Sequence, residues 1–232
     1  MKINDLYTLV QQRRSVRGYD ESRPVSDEAI KAILDCARWA PSGGNGQPWE
    51  FIVVRDSSTR HKIADYYLHQ LEQKREMDLA VRGTAKMTGD GFRHAPVHII
   101  ILGDPRVQRA YPIRTKLEKA DSHFITGLAN ATLLIHLAAM SLGLGSQYVS
   151  DANSPYLETM LKVLLGIPEP LRIYHLVPIG YAKSQVGAPP RRALEEMVHA
   201  ERYDMGKYRD DKAVDEFIRT LTLQGSYGKA RS

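Results

Sequence analysis

The run of residues 124–142 constrains the fold of this chain more than any other feature of its sequence. It contains no charged residue, and as a helix it would be long enough to cross a lipid bilayer. Its polar members, Thr126, Asn130, Thr132 and His136, are instead typical of a helix inside a folded domain. We therefore expect a central helix, buried on nearly all sides, rather than a transmembrane span.

Short apolar runs between helical segments predict the strands of a sheet. Three runs read as strands and a fourth as a short strand or an active-site loop, in this order: 51–54, 97–102, 173–179 and 148–150. Apolar residues at helical spacing predict further helices. The first is capped by Asn4 or Asp5 and ends by the arginines at 13–17, the second begins at Ser26 and is stopped by Pro41, and two more lie at 58–78 and 155–165. This alternation predicts an α+β or α/β sandwich-like protein with a central sheet enclosed by helices, without defining the strand order.

Composition indicates one soluble domain with an added arm, because 43% of the 232 residues are hydrophobic and 25% are charged. Lys and Arg number 32 against 27 Asp and Glu, and the resulting net charge of +5 attracts anions. The basic clusters are short and scattered, and no DNA- or RNA-binding motif accompanies them. The sequence therefore favours a small anionic ligand over nucleic acid.

Cysteine and histidine usage argues against disulfides and metal sites. Cys36 is the one cysteine, and we expect it to be a small core residue in a reducing cytoplasm. The first residues lack the apolar core of a signal peptide, which also predicts a cytoplasmic protein. The 8 His residues are dispersed without metal-ligand spacing. The sequence also contains no Gly-x-Gly-x-x-Gly motif, the pattern that would predict a tightly bound dinucleotide.

Two motifs carry most of the functional information. Residues 13–17 read Arg-Arg-Ser-Val-Arg, and guanidinium groups form paired, charge-assisted hydrogen bonds to phosphate. Residues 41–49 read Pro-Ser-Gly-Gly-Asn-Gly-Gln-Pro-Trp, a loop that allows close backbone approach. Plainer explanations are a solvated helix end for the first motif and a helix stop plus turn for the second, with Trp49 as a core anchor.

Together with Arg-Arg-Ala-Leu-Glu-Glu at 191–196, these motifs resemble the nitroreductase family of flavin-dependent oxidoreductases in order and spacing. The resemblance covers residues from about 5 to 198. It implies the nitroreductase fold: a central mixed sheet enclosed by helices, in an intertwined homodimer with a C-terminal arm. A long helix would line the dimer interface, and two flavin mononucleotide (FMN) sites would lie at the subunit boundary.

The resemblance also implies which residues bind FMN. Arg13 and Ser15, with Arg191 or Arg192, would clamp the phosphate and ribityl groups, and Arg17 would face the pyrimidine edge. The loop 41–45 would reach FMN from the other protomer, and hydroxyl, amide or backbone donors at 146–150 would lie near N5 and O4. The full expected set is Arg13, Arg14, Ser15, Arg17, Pro41, Ser42, Asn45, Ser146, Gln147, Ser150, Arg191 and Arg192.

The implied reaction is a ping-pong transfer of hydride from NAD(P)H, a transient reductant, to a nitroaromatic, a quinone or a similar small acceptor. No side chain is expected to be catalytic, since the cofactor carries the chemistry. Two relatives remain alternatives, as does a non-catalytic flavin-binding module. Reductive dehalogenases use a Glu and a Tyr one helical turn apart and a later Lys, whereas here Glu76 follows Glu72, although Lys86 is present. Flavin-fragmenting enzymes that form 5,6-dimethylbenzimidazole tend to carry Asp where this chain has Ser15.

The last part of the chain differs in character from the rest. Highly charged residues surround an apolar stripe at helical spacing, formed by Val214, Phe217, Ile218 and Leu221. We expect an FMN-binding domain at 1–198 and a helical extension at 199–232 that packs on the partner subunit. The poorly patterned stretch 79–94 is expected to form a mobile cover.

Overall fold

A computed structural model describes residues 2–83, 89 and 91–220, and the chain divides into two compact units, Met1–Gln185 and Val186–Ser232. The first unit contains the helices α1 (Ile3–Gln12), α2 (Asp27–Ala37), α3 (Ser57–Arg82), α4 (Ile113–Ser141) and α5 (Pro155–Leu165). Its strands are β1 (Trp49–Val54), β2 (Val97–Gly103), β3 (Gly145–Ser146) and β4 (Arg172–Gly180). The second unit contains α6 (Asp211–Thr220).

The four strands form one sheet in the order β1-β2-β4-β3, in which each neighbouring pair is antiparallel. Strand β2 is central and buried along its whole length, which explains its continuous run of Ile residues. The resemblance implied a mixed sheet. Within the described residues, the parallel pairing is limited to an isolated bridge between Ser15 and Ser146 at the β3 edge, so the four named strands themselves are antiparallel.

Helix α4 packs against this sheet and against α2, and it supplies much of the core. Its Leu128, Ala131 and Ile135 are at most 1% exposed and contact the same apolar cluster as Val97 and Ile99 of β2. The predicted central helix is therefore confirmed, and its length and apolar composition belong to a core helix. Burial on nearly all sides was wrong for the single chain, because Ile125 and Leu133 are 48% and 52% exposed.

Local sequence signals explain several element ends. The Ser26 hydroxyl accepts a 3.1 Å hydrogen bond from the Ala29 backbone and caps α2. Gly143, with φ of +71°, allows the chain to turn directly after α4. Trp49 is 8% exposed in the core, as the core-anchor interpretation predicted. The predicted strand or loop at 148–150 is a loop, and the short strand β3 precedes it at Gly145–Ser146.

Two predictions for the first unit were wrong. Cys36 is exposed on α2 rather than packed in the core, because the buried face of that helix is formed by Ile30, Ile33 and Ala37. The stretch 79–94 is not one irregular cover: α3 continues to Arg82, and Phe92 is 1% exposed with its ring edge-on to another core ring. The part of the predicted cover at 84–88 and at 90 lies outside the described residues.

The second unit consists of short 3₁₀ turns followed by α6, and none of its described residues is buried. The helix expected from the apolar stripe is present, with Val214 and Phe217 partly covered and Ile218 46% exposed. Leu221 lies outside the described residues. The division of the chain after Gln185 concerns compactness alone, so the FMN-binding domain at 1–198 and the partner-packing extension at 199–232 stay predictions.

Candidate functional site

Two of the predicted FMN-binding segments meet at the edge of the sheet. The segment 13–17 leaves α1 in extended conformation and pairs with β3 through the Ser15–Ser146 bridge. The Val16 backbone donates a 3.0 Å hydrogen bond to the Ser146 carbonyl, and the Val16 side chain is 6% exposed in the core. The segment that carries the arginines is therefore held in register with the segment 145–150.

The arginines of the segment 13–17 have different surroundings. The Arg14 guanidinium donates to the carbonyls of Gln11 and Arg13, as expected for a cation at a helix C-terminus. Its Nε is buried without a hydrogen-bond partner among the described residues. The exposed Arg17 donates a long 3.4 Å hydrogen bond from Nη1 to the Ser15 carbonyl. Arg14 therefore lies at the C-terminal end of α1, as the helix-end explanation predicted. Its contact with FMN stays a prediction.

A buried hydrogen bond joins β3 to helix α4. Nδ1 of His136, on α4, lies 2.7 Å from the hydroxyl of Ser146, and these two side chains are 6% and 2% exposed. Burial, helped by the nearby positive charge of Arg13, lowers the pKa of His136 to about 4. The imidazole is therefore neutral at physiological pH and ties the core helix to the segment that faces Arg13.

The loop after β3 contains a second polar pair. The hydroxyl of Tyr148 is hydrogen-bonded to Nε2 of His175 on β4, and burial is the main cause that raises the Tyr148 pKa well above its usual value. Burial also lowers the pKa of His175 to about 4. The side chain of Gln147 is 9% exposed, and its Oε1 is buried without a hydrogen-bond partner in the described part of the chain. Ser150 is exposed at the start of a 3₁₀ turn.

The loop 41–47 is positioned by α4. Asn130 donates a 2.9 Å hydrogen bond to the Pro41 carbonyl, and Gly127 leaves so little room that a Cβ there would lie 3.2 Å from Ser42. The Ser42 hydroxyl accepts a 3.0 Å hydrogen bond from the Gln47 backbone and closes the loop. Asn45 is exposed and has φ of +53°, in the left-handed region that Asn tolerates better than most residues.

The far end of the predicted cover contacts the arginine segment. Gly91 lies so close to Arg17 that a Cβ added to it would be 1.6 Å from the Arg17 carbonyl oxygen. This contact requires glycine, since real Cβ atoms do not approach a carbonyl that closely. Gly91 is thus packed against the segment 13–17.

The second unit holds the remaining predicted residues, Arg191 and Arg192. Arg191 is exposed and donates a 3.0 Å hydrogen bond to the Pro190 carbonyl. Arg192 donates from Nε to the Glu196 carboxylate at 3.2 Å and from Nη2 to the Glu196 carbonyl at 3.2 Å. Arg192 is thereby engaged by a neighbouring carboxylate, whereas the Arg191 side chain has a backbone acceptor alone within the described part of the chain.

The residues of the first unit fit FMN in chemical type. FMN needs cations for its phosphate, and hydrogen-bond donors and acceptors along the edge of its ring. Arg13 offers a cation and Ser15 a hydroxyl for the phosphate end, and Arg17 offers a cation for the pyrimidine edge. The segment 146–150 offers polar groups for the ring edge, including the buried amide oxygen of Gln147, which has no hydrogen-bond partner among the described residues. Among the described residues, no group of His, Cys, Asp and Glu could hold a metal ion.

Comparison with known proteins identifies the family of this chain. The sequence profile of the nitroreductase family matches residues 10–181. A putative NADH dehydrogenase/NAD(P)H nitroreductase of Archaeoglobus fulgidus is 32% identical over 177 residues, which cover 76% of this chain and 85% of the relative. The chain belongs to the nitroreductase family.

Further relatives and a solved structure show the breadth of this similarity. Iodotyrosine deiodinase 1 of Rattus norvegicus is 27% identical over 207 residues, covering 85% of this chain and 70% of the relative. The 5,6-dimethylbenzimidazole synthase of Rhodospirillum rubrum is 31% identical over 151 residues, covering 64% and 71%. A putative nitroreductase of Desulfovibrio desulfuricans, solved in complex with FMN, has 26% identity and a TM-score of 0.65, and the match covers 87% of this chain and 99% of that one.

Sequence reasoning missed the residues that support the site. His136 was visible in the uncharged run, but nothing in the sequence paired it with Ser146. Asn130 and Gly91 were likewise visible without a partner, because their contacts with Pro41 and Arg17 join segments that are distant in sequence. The sequence offered two signals for these contacts: polar residues inside an apolar helix, and a glycine directly before the buried Phe92.

Proposed function

We propose that this protein is an FMN-dependent oxidoreductase that transfers hydride from NAD(P)H to a small acceptor, such as a nitroaromatic or a quinone, by a ping-pong mechanism. The observation that carries the proposal is the pairing of the arginine segment 13–17 with β3 and the loop that follows it. Both segments are ones that the family pattern assigns to FMN. A cytoplasmic location accompanies the proposal.

In this proposal the chain binds and orients, and FMN, when bound, supplies hydride transfer through N5. Arg13 and Ser15 hold the phosphate end, joined by Arg191, whose guanidinium is the less engaged of the C-terminal pair. Arg17 offers a permanent positive charge to the pyrimidine edge, where negative charge develops on reduction. Ser146, Gln147 and Ser150 provide the polar edge near N5 and O4, and Arg14 and Arg192 support their neighbours.

We further propose a homodimer in which Pro41, Ser42 and Asn45 reach the FMN of the partner. In one chain the apolar residues of α1 and α4 stay exposed, with Ile3 at 74% and Leu117 at 82%. Uncovered apolar surface of this kind marks an association surface. Sedimentation velocity should show a dimer that Leu117→Asp weakens, whereas Val163→Asp on α5, 79% exposed, should leave it intact. A monomeric wild type would refute this part of the proposal.

The test of function is the absorbance of the purified protein. A yellow protein whose colour bleaches with NADH or NADPH and returns on adding a nitroaromatic or quinone supports the proposal. Arg17→Ala should slow this cycle or weaken FMN binding while leaving the unfolding midpoint unchanged. Colour without bleaching would favour a flavin-binding module, and a colourless protein indifferent to FMN would overturn the proposal.

The two alternative activities are tested by their products. Similarity to iodotyrosine deiodinase keeps a reductive dehalogenase in view, but Glu72 forms a 3.0 Å ion pair with Arg75, and Lys86 lies outside the described residues. Similarity to 5,6-dimethylbenzimidazole synthase keeps a flavin-fragmenting enzyme in view, although Ser15 replaces the expected Asp. Halide release from a halotyrosine, or loss of flavin with formation of a benzimidazole, would decide for either one.

A further inference from the structure

The loop after β3 carries a side chain that the proposed reaction has not used, Tyr148. Two residues before it, the Ser146 hydroxyl is bonded to His136, and Ser146 is 2% exposed. The next residue, Gln147, is 9% exposed, whereas Tyr148 is 43% exposed. Tyr148 is therefore the most accessible of these three consecutive residues to a molecule outside the chain.

A β-bulge in β4 places two further rings beside Tyr148. The register of β4 against β2 shifts by one residue at Tyr174, which is the extra residue of the bulge. Consecutive side chains of a regular strand point to opposite faces, but here the ring centroids of Tyr174 and His175 lie 3.9 Å apart. The Tyr148 ring lies 3.8 Å from the His175 ring on its other side. The three rings thus form a row at the end of the loop.

Hydrogen bonds fix the hydroxyl of Tyr148. Nδ1 of His175 is buried and has no hydrogen-bond partner among the described residues, whereas Nε2 is bonded to the Tyr148 hydroxyl. A proton on Nδ1 would be a buried N–H without an acceptor, so the neutral ring carries its proton on Nε2 and donates it to the Tyr148 oxygen. The proton of Tyr148 itself is then left to donate to Tyr174, which also hydrogen-bonds with Tyr148, or to a ligand.

The Tyr148 hydroxyl is an uncharged donor. Burial, and after it the neighbouring Tyr174, raises the pKa of Tyr148 well above its usual value. The hydroxyl therefore keeps its proton at any working pH. A donor that is fixed in place and does not ionise suits an oxygen atom on which negative charge develops during reduction.

We propose that Tyr148 donates a hydrogen bond to an oxygen of the electron acceptor, and that His175 positions it. This role rests on the proposed function, in which the segment 146–150 lies near N5 and O4 of FMN. The acceptors that it favours carry a carbonyl or nitro oxygen, as quinones and nitroaromatics do. Tyr148 keeps its proton throughout, and solvent supplies the proton of the reduced product.

The test follows the reoxidation of the reduced, FMN-containing protein by stopped-flow absorbance with two acceptors. Tyr148→Phe should slow reoxidation by duroquinone about tenfold, because the donor to the quinone oxygen is gone. Reoxidation by ferricyanide, which takes single electrons and needs no donor at an oxygen, should stay within twofold of the wild type. Bleaching by NADH or NADPH should also stay within twofold.

The matched control is Tyr156→Phe on α5. Tyr156 is 39% exposed, and its ring lies 5.4 Å from the ring of His69, so it is a second partly exposed tyrosine beside a histidine. It lies outside the segment 146–150. All three rates should therefore stay within twofold of the wild type in this variant.

Binding without turnover provides a second measurement. Duroquinone has no free ring position, so it does not add to the exposed thiol of Cys36. Titrated into the oxidised protein without a reductant, it should perturb the flavin absorbance with a Kd that Tyr148→Phe raises at least threefold. An unchanged Kd would count against the hydrogen bond from Tyr148.

The positioning role of His175 has its own pair of variants. His175→Leu removes the donor to Tyr148 and should slow reoxidation by duroquinone at least threefold. His175→Gln keeps an amide N–H in the place of Nε2 and should restore the rate to within twofold of the wild type. Reoxidation by ferricyanide should be unchanged in both variants, whereas a merely structural role of His175 would slow both acceptors alike.

Three outcomes would overturn the role of Tyr148: equal reoxidation of Tyr148→Phe and the wild type by duroquinone, equal slowing with both acceptors, or slower bleaching by the reductant. If Tyr148→Phe does not fold, the double variant Tyr148→Phe/His175→Leu replaces it, because removing both partners leaves no buried donor unpaired. The same slowing is expected, and an unchanged rate overturns the role.

Failure of the proposed function would look different. A wild type that holds no FMN, or that NADH and NADPH do not bleach, refutes the proposed function and this role with it. A wild type that completes the cycle while Tyr148→Phe matches it with every acceptor refutes the role of Tyr148 alone.

Discussion

The two arginine motifs have the same chemistry but very different structural support. The segment 13–17 is paired with β3 and rests on the buried His136–Ser146 hydrogen bond. Residues 191 and 192 belong to a unit in which no described residue is buried. A core fixes the first motif before any ligand binds, whereas the second has side-chain hydrogen bonds but no core beneath it. We therefore expect FMN affinity to depend on packing at the N-terminal motif and on charge at the C-terminal motif.

Crowding the N-terminal motif should have the largest effect. Gly91→Ala would place a Cβ 1.6 Å from the Arg17 carbonyl oxygen, so the backbone of the motif must move. We expect a loss of about 3 kcal/mol in the free energy of unfolding, the upper part of the usual range for overpacking, together with loss of FMN. Urea unfolding and flavin absorbance measure the two effects.

The matched control for crowding is Gly18→Ala, directly after the segment 13–17. A Cβ at Gly18 would meet nothing within 4 Å, so stability and FMN content should stay close to wild type. If Gly91→Ala were as stable and as yellow as Gly18→Ala, the close contact between residues 91 and 17 would be wrong.

Removing the support beneath the motif should have the next largest effect. Ser146→Ala would leave Nδ1 of His136 buried without its 2.7 Å partner. An unsatisfied buried polar group costs about 1–3 kcal/mol, and we expect the free energy of unfolding to fall by that amount. FMN affinity should fall as well, because the Val16–Ser146 pairing loosens.

The control for this substitution is Ser141→Ala on α4, the helix that carries His136. The Ser141 hydroxyl donates to the Ala138 carbonyl on the exposed side of α4, and its removal should change stability by less than about 0.5 kcal/mol. Equal stability of the two variants would show that the hydrogen bond of His136 contributes nothing.

The contrast also explains how much could be predicted from the sequence. Local patterns specify local structure: the Ser26 cap, the uninterrupted Ile run of β2 and the uncharged stretch of α4 each predicted their element. The buried face of a helix is harder to predict. Cys36 was placed on the wrong face of α2, because the buried stripe that Ile33 and Ala37 form is too narrow to include it.

For the candidate site, the sequence supplied the residue types but not what holds them. The arginines, the loop serine and the segment at 146–150 are motif residues that any reader of the family pattern would find. Contacts such as His136 with Ser146 and Gly91 with Arg17 join residues whose pairing depends on how α4 and the sheet are packed. Only tertiary structure reveals them.

Acid should destabilise the protein through the buried histidines. Burial lowers the pKa values of His98, His136 and His175 to about 4, so all three are neutral when folded. In the unfolded chain their pKa values are about 6.5, so that state binds more protons between about pH 4 and 6.5. Each histidine should therefore remove about 1.4 kcal/mol of stability per pH unit as the pH falls through this range.

Urea unfolding at pH 7.0 and 5.0 tests this expectation. The difference between the two pH values should be smaller in His136→Gln than in the wild type, because one of the three titrating groups is gone. His69→Gln provides the control, since His69 lies at an exposed position beside Tyr156. If the wild type were equally stable at both pH values, His98, His136 and His175 could not all be buried and neutral.

The smallest effect is expected at the C-terminal motif, where charge rather than packing is at stake. Among the described residues, the Arg191 side chain donates to the Pro190 carbonyl alone, whereas Arg192 is engaged by Glu196. Arg191→Ala should therefore weaken FMN binding about tenfold, or about 1.4 kcal/mol, and Arg192→Ala by less than threefold. Neither should change the unfolding midpoint, because no described residue around them is buried. Flavin fluorescence titration of the apoprotein measures the two affinities, and the reverse order would assign the phosphate to Arg192.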